Sequence, residues 1–133
     1  WEVGYEVCFY RDVRKLQNKK IKKSGFSQKR TFDLCLFSEH RMIIIEAKAQ
    51  KGFDKDQNKQ FMEDKIKVPK LLGFSNDELL VEVIALASST YYKNMEAKGG
   101  VHSVFTAKFS WLDLYNNYSN NPVFKQADKS YKN

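Results

Sequence analysis

Two apolar runs separated by four polar residues set the first constraint on this chain. They are Phe32-Asp33-Leu34-Cys35-Leu36-Phe37 and Met42-Ile43-Ile44-Ile45-Glu46-Ala47-Lys48, with Ser38-Glu39-His40-Arg41 between them. Runs of that length and composition read as strands, and so short a link joins them as an antiparallel hairpin. Side chains alternate faces along a strand, so Glu46 and Lys48 share one face. Folding the hairpin about the Glu39-His40 link sets Phe37 opposite Met42, Cys35 opposite Ile44 and Asp33 opposite Glu46. In a bulge-free register this gathers two carboxylates and one ammonium on one sheet face, and a one-residue slip would undo it.

Around the hairpin the pattern predicts a mixed α/β domain. Tyr5, Cys8, Phe9, Val13 and Leu16 follow helical spacing, which predicts a helix from about Trp1 to Gln17. Ile21 to Phe26 reads as a short first strand. After Gly52, Asp54 or Asp56 can cap a helix running to about Lys67, with Phe61, Ile66 and Met62 turned inward. Pro69 and Gly73 should end it. Leu79 to Ala87 is almost unbroken apolar sequence and suits a buried central strand. A looser segment with Gly99-Gly100 follows, then a last strand over Val101 to Phe109. Trp111 to Tyr118 and Val123 to Tyr131 read as short terminal helices. The early hairpin argues against a doubly wound parallel sheet.

The 133 residues are the size of one ordinary domain, and 42% hydrophobic content suffices for its core. No apolar run approaches the ~18–20 residues that span a bilayer, so no membrane partner is expected. No signal-peptide pattern opens the chain. Trp1 is not an initiator methionine, so the chain is expected to begin inside a longer product or after a removed tag. Cys8 and Cys35 sit in apolar stretches and read as buried free thiols of a reducing, cytoplasmic compartment. With His40 and His102 far apart, a structural zinc site is not expected.

The net charge of +7 favours an anionic partner such as nucleic acid. Lys19, Lys20, Lys22, Lys23, Lys29 and Arg30 all precede the strand bearing Asp33, which makes Lys20, Lys22, Lys23, Lys29 and Arg30 candidate phosphate contacts. A solvated loop is the plain alternative. Tyr91-Tyr92, Tyr115 and Tyr118 read as packing residues before base-stacking ones. No Gly-rich phosphate loop and no Gly-x-Ser-x-Gly elbow is present.

The chemistry therefore concentrates on Asp33, Glu46 and Lys48. Opposed carboxylates repel unless something positive lies between them, either Lys48 or a divalent cation. Mg²⁺ takes oxygen ligands and commonly uses one or two protein carboxylates plus phosphate oxygens. Phosphodiester hydrolysis needs such a metal and a cation near the attacking water. An ordinary surface salt bridge is the competing reading of an Asp…Glu-x-Lys pattern. The run Ile43-Ile44-Ile45 argues against it, because a glutamate at the edge of a core is costly unless paired.

Thr31-Phe32-Asp33, the hairpin and Ile44-Ile45-Glu46-Ala47-Lys48 resemble the PD-(D/E)xK, or restriction-endonuclease-like, nuclease signature, with Phe32 where the family name has Pro. The order helix, three strands, helix, strand is similar to the family's αβββαβ core, here about residues 1–90, with a strand and helices over about 100–131. The resemblance implies a single domain over 1–133, a mixed sheet flanked by helices, and metal-dependent DNA cleavage in a restriction, defence or repair system. Endonucleolytic cutting is the expected mode. It maps the metal-binding acids to Asp33 and Glu46, a further metal ligand to the backbone carbonyl of Ala47, and the catalytic lysine to Lys48. Many members add a glutamate from the first helix, for which Glu6 matches best and Glu2 second. Gln57, in Gln57-Asn58-Lys59-Gln60-Phe61, resembles an active-site glutamine of some members, and Gln50 is a similar candidate. The implied cofactor is Mg²⁺ or Mn²⁺ and the implied partner is DNA, with a homodimer or larger complex compatible. The alternative is a catalytically silent nuclease-like module that binds nucleic acid or a protein partner.

Overall fold

The computed structural model describes residues 1–19, 27, 29–100, 103–118 and 120–132. Within them five strands and five helices follow the order β1 (Glu2–Val7), α1 (Phe9–Leu16), β2 (Phe32–Phe37), β3 (Arg41–Ala47), α2 (Lys55–Leu72), β4 (Leu80–Ala87), α3 (Ser89–Glu96), β5 (Ala107–Ser110), α4 (Trp111–Asn117) and α5 (Pro122–Lys129). The strands hydrogen-bond in sequence order, β1-β2-β3-β4-β5. β1, β2 and β3 run antiparallel, while β4 and β5 run parallel, so the sheet is mixed as expected. No helix among the described residues is long and apolar enough to cross a membrane. The expected strand over Ile21–Phe26 lies outside the described residues.

The hairpin forms in the expected register. Cys35 pairs with Ile44 and Phe37 with Met42, and the ladder ends at Leu34 with Ile45. Cys35, Met42 and Ile44 are fully buried, which fixes the face and resists a slip. Cys8 and Cys35 are free thiols, Cys35 buried and Cys8 half-buried.

The chain divides into two compact units, Trp1–Ile45 with Met62–Glu82, and Glu46–Phe61 with Val83–Asn133. The first corrects the expected long N-terminal helix. Glu2-Val3-Gly4-Tyr5-Glu6-Val7 is a strand paired antiparallel with β2, and the helix begins only at Phe9. Val3, Tyr5 and Val7 alternate as β-formers, and a whole strand partner outweighs the helical spacing of Tyr5 with Cys8 and Phe9. Phe9, Tyr10 and Phe32 form an aromatic core with centroids 5.9–6.2 Å apart.

Three polar side chains join that core. Tyr10 Oη donates to Asp64 Oδ1 at 2.5 Å, and Arg30 donates to Asp64 Oδ2 from Nε at 3.1 Å and Nη2 at 2.7 Å. Arg30 also lies 5.2 Å over the Phe32 ring. Asp64 is 2% exposed, so the fork of Arg30 and the Tyr10 hydroxyl satisfy a charge that burial would otherwise make costly.

Asp54 caps α2, its Oδ1 accepting the backbone N–H of Gln57 at 2.7 Å. The helix runs through Pro69 and stops at Gly73, whose φ of 80° suits the left-handed turn after a helix. Its inward face differs from the expected one. Phe61, Asp64, Val68 and Leu71 are buried, whereas Met62 and Ile66 are exposed.

In the second unit Phe53, Ala85, Ala87, Tyr91 and Tyr92 form the core, with Phe105 4.7 Å from Phe53 and 5.9 Å from Phe61 between centroids. Gly52 lies directly under Tyr91, where a Cβ would stand 2.0 Å from Cε2 of the ring. α3 replaces part of the expected looser segment. Ser88 caps it through Thr90 N–H, and Asp128 accepts from Ser89 N–H at 2.7 Å and Ser89 Oγ at 2.6 Å. β5 is shorter than the Val101–Phe109 expected, and residues 101 and 102 lie outside the described residues.

Candidate active site

Glu46 sits at the end of β3 on the face that buries Met42 and Ile44, and it is 4% exposed. A carboxylate there needs donors, and two converge on one oxygen. Lys48 Nζ lies 3.1 Å and Gln57 Nε2 2.6 Å from Glu46 Oε1. Lys48 reaches it because residues two apart on an extended chain share a face. Gln57 reaches it from the first turn of α2, whose start is set by the Asp54 cap. The sequence expectation that Glu46 and Lys48 come together is met, and Gln57 joins them.

The segment after β3 is held at Lys48, Gln50 and Phe53. Lys48 N–H donates to Leu86 O at 2.8 Å, and Trp111 Nε1 donates to Lys48 O at 2.9 Å. Gln50 O accepts from Lys132 N–H at 3.1 Å, and Phe53 N–H donates to Tyr91 Oη at 3.2 Å. The Gln50 side chain is exposed.

Asp33 lies on β2 in the first unit and is exposed. Glu6 and Glu2 are exposed on β1, Glu6 with a φ of 46°. Neither projects from a helix, so the helical placement that singled out Glu6 is corrected. Lys29 is exposed, and Arg30 is bound to Asp64. Lys20, Lys22 and Lys23 lie outside the described residues.

Among the described residues no three His, Cys, Asp or Glu side chains are grouped to hold a metal ion. Mg²⁺ needs fewer, since one or two carboxylates with water and phosphate oxygens suffice. Glu46 fits as one such ligand, its carboxylate oriented by Gln57 and Lys48.

Trp111 escaped the sequence reading. Ser110 and Asp113 form a capping box that marks the start of α4, and this spacing was visible. Nothing in the sequence links the indole to Lys48, because that bond depends on tertiary folding. No family model, curated protein or solved structure matches the chain.

Proposed function

We propose that this protein is a Mg²⁺- or Mn²⁺-dependent nuclease that hydrolyses DNA phosphodiester bonds, within a restriction, defence or repair system and as an endonuclease. The observation that carries the reading is the convergence of Lys48 and Gln57 on one oxygen of Glu46 at the end of an apolar strand. Structural ion pairs are usually placed where water can share them, whereas this one is built into the edge of a core. The antiparallel β2-β3 hairpin followed by α2 and β4 supports the PD-(D/E)xK reading, whereas the expected order of a helix ahead of three strands is corrected, because α1 follows β1 and precedes β2.

In this mechanism Glu46 would hold the cation, with Asp33 and the Ala47 carbonyl as the further ligands that the resemblance implies, and the cation would neutralise phosphate charge and lower the pKa of a bound water. Gln57 keeps the Glu46 carboxylate in one orientation. Lys48, tethered at 3.1 Å, presents an ammonium to the reacting phosphate and stabilises the charge that grows on it.

The test is cleavage of duplex and single-stranded DNA and RNA by the purified protein with Mg²⁺, Mn²⁺ or Ca²⁺, and with EDTA. Cleavage of DNA with Mg²⁺ or Mn²⁺ that EDTA abolishes is expected. DNA binding without cleavage under every metal condition would point to the silent binding module instead.

A further inference from the structure

We propose that Trp111 is a positioning residue for Lys48, holding the lysine backbone through its indole N–H. The inference rests on the reading of Lys48 as the reacting cation. Lys48 lies one residue beyond β3, where the strand no longer constrains it. Two bonds replace that constraint: its N–H to Leu86 O at 2.8 Å, and its C=O from Trp111 Nε1 at 2.9 Å. Both peptide groups flanking the lysine Cα are therefore fixed, and the direction in which its side chain leaves the backbone is fixed with them.

The indole is itself held. Trp111 is the first residue of α4, and the reciprocal Ser110–Asp113 bonds, 2.7 Å from Ser110 N–H to Oδ2 and 3.0 Å from Asp113 N–H to Oγ, set where that helix starts. Its ring stacks on Phe124 of α5 with centroids 6.3 Å apart and planes 19° from parallel. A continuous path of packing and hydrogen bonding thus runs from α5 through the ring of Trp111 to the peptide of Lys48. A packing tryptophan needs only its ring, but this one also commits its single N–H donor to the residue that carries the ammonium. The terminal helices thereby take part in the site's geometry.

The experiment compares wild type with Trp111→Phe, which keeps an aromatic ring and removes the N–H. Three quantities are read: the single-turnover cleavage rate at saturating DNA with Mg²⁺, DNA affinity with Ca²⁺, and hydrogen-exchange protection of the Lys48 amide in the protein alone. A displaced reacting group costs on the order of 10–100-fold in rate, so that loss is expected with affinity changed less than about twofold. Lys48 amide protection should fall as well. An unchanged rate, or a loss arising only through affinity, overturns the proposal. A wild-type protein that cuts nothing defeats the nuclease reading instead, and unchanged Lys48 protection in Trp111→Phe then overturns the positioning role. If Trp111→Phe does not fold, Phe124→Leu keeps the N–H but removes the stack. It should lower both saturated rate and Lys48 protection, and no change in either overturns the proposal.

Discussion

Gln57 Nε2 lies 2.6 Å from Glu46 Oε1, joining the first turn of α2 to the end of β3. A hydrogen bond to a charged group contributes about 1.5–3 kcal/mol, and without it the carboxylate can rotate. Gln57→Ala should therefore lower the saturated cleavage rate by roughly 10–100-fold while the protein stays folded. A wild-type rate in that variant would show that Lys48 alone orients Glu46.

Lys48 and the carboxylates should fail in different ways. Lys48 is a cation and cannot ligate metal while protonated, so Lys48→Ala should cut far more slowly with metal and DNA affinity retained. Asp33→Ala and Glu46→Ala should lose metal binding and cleavage together. Calorimetric titration with Mn²⁺ beside a cleavage assay separates these outcomes. Full activity in Asp33→Ala would remove that residue from the mechanism.

Arg30 and the lysines before it should separate as well. Arg30 bonds a buried carboxylate, and removing one partner of a buried pair costs about 3–5 kcal/mol. Arg30→Ala should lower the urea midpoint by a corresponding amount, and Arg30→Lys should lower it less. Lys20, Lys22 and Lys23 replaced together by Ala should leave stability unchanged but weaken DNA binding. The log–log salt dependence of affinity should flatten by about 0.9 for every phosphate that these lysines no longer neutralise. A wild-type slope near zero would argue against nucleic acid as the ligand.

Alkaline pH offers an independent check on the cores. Burial raises the phenol pKa of Tyr10, Tyr91 and Tyr92 above the ordinary 10.0, with the Asp64 carboxylate adding to the effect at Tyr10. A raised folded-state value contributes stability that is fully present below the unfolded value and is lost as pH rises past it. Unfolding free energy should hold up to pH 10.0 and then decline. Ultraviolet titration should show these three phenols ionising last. Three early, reversible ionisations in the folded protein would contradict their burial.

The hairpin was legible in the sequence because the polar link, the alternation and the turn length all require the same register. Glu46 and Lys48 followed from it by period alone. The N-terminus was misread because Tyr5, Cys8 and Phe9 satisfy helical spacing while Val3, Tyr5 and Val7 satisfy strand spacing, and only pairing with β2 decides between them. The buried face of α2 was obscured by Asn58 and Asp64, which hydrophobic periodicity assigns to solvent. Arg30 read as a surface cation for the same reason. Its partner is 34 residues away, and no local pattern announces the pair. α3 carried a usable signal in Ser88 ahead of Thr90, but its polar composition hid a helix whose buried side chains are two tyrosines.

Gly52 and Tyr91 cannot vary independently. At Gly99 and Gly100 an added side chain meets open space, and the obstacle is a φ of 107° or 97°. Those positions should accept Asn more readily than Ala, since Asn tolerates left-handed backbone. At Gly52 the obstacle is the tyrosine ring itself, 2.0 Å from any Cβ. A saturation scan in the wild-type background should find position 52 closed to every side chain, and the same scan on Tyr91→Ala should find it open to alanine. Lineages that lose the tyrosine are thus released to lose the glycine, whereas those that change Gly52 first must shift the ring or fail to fold.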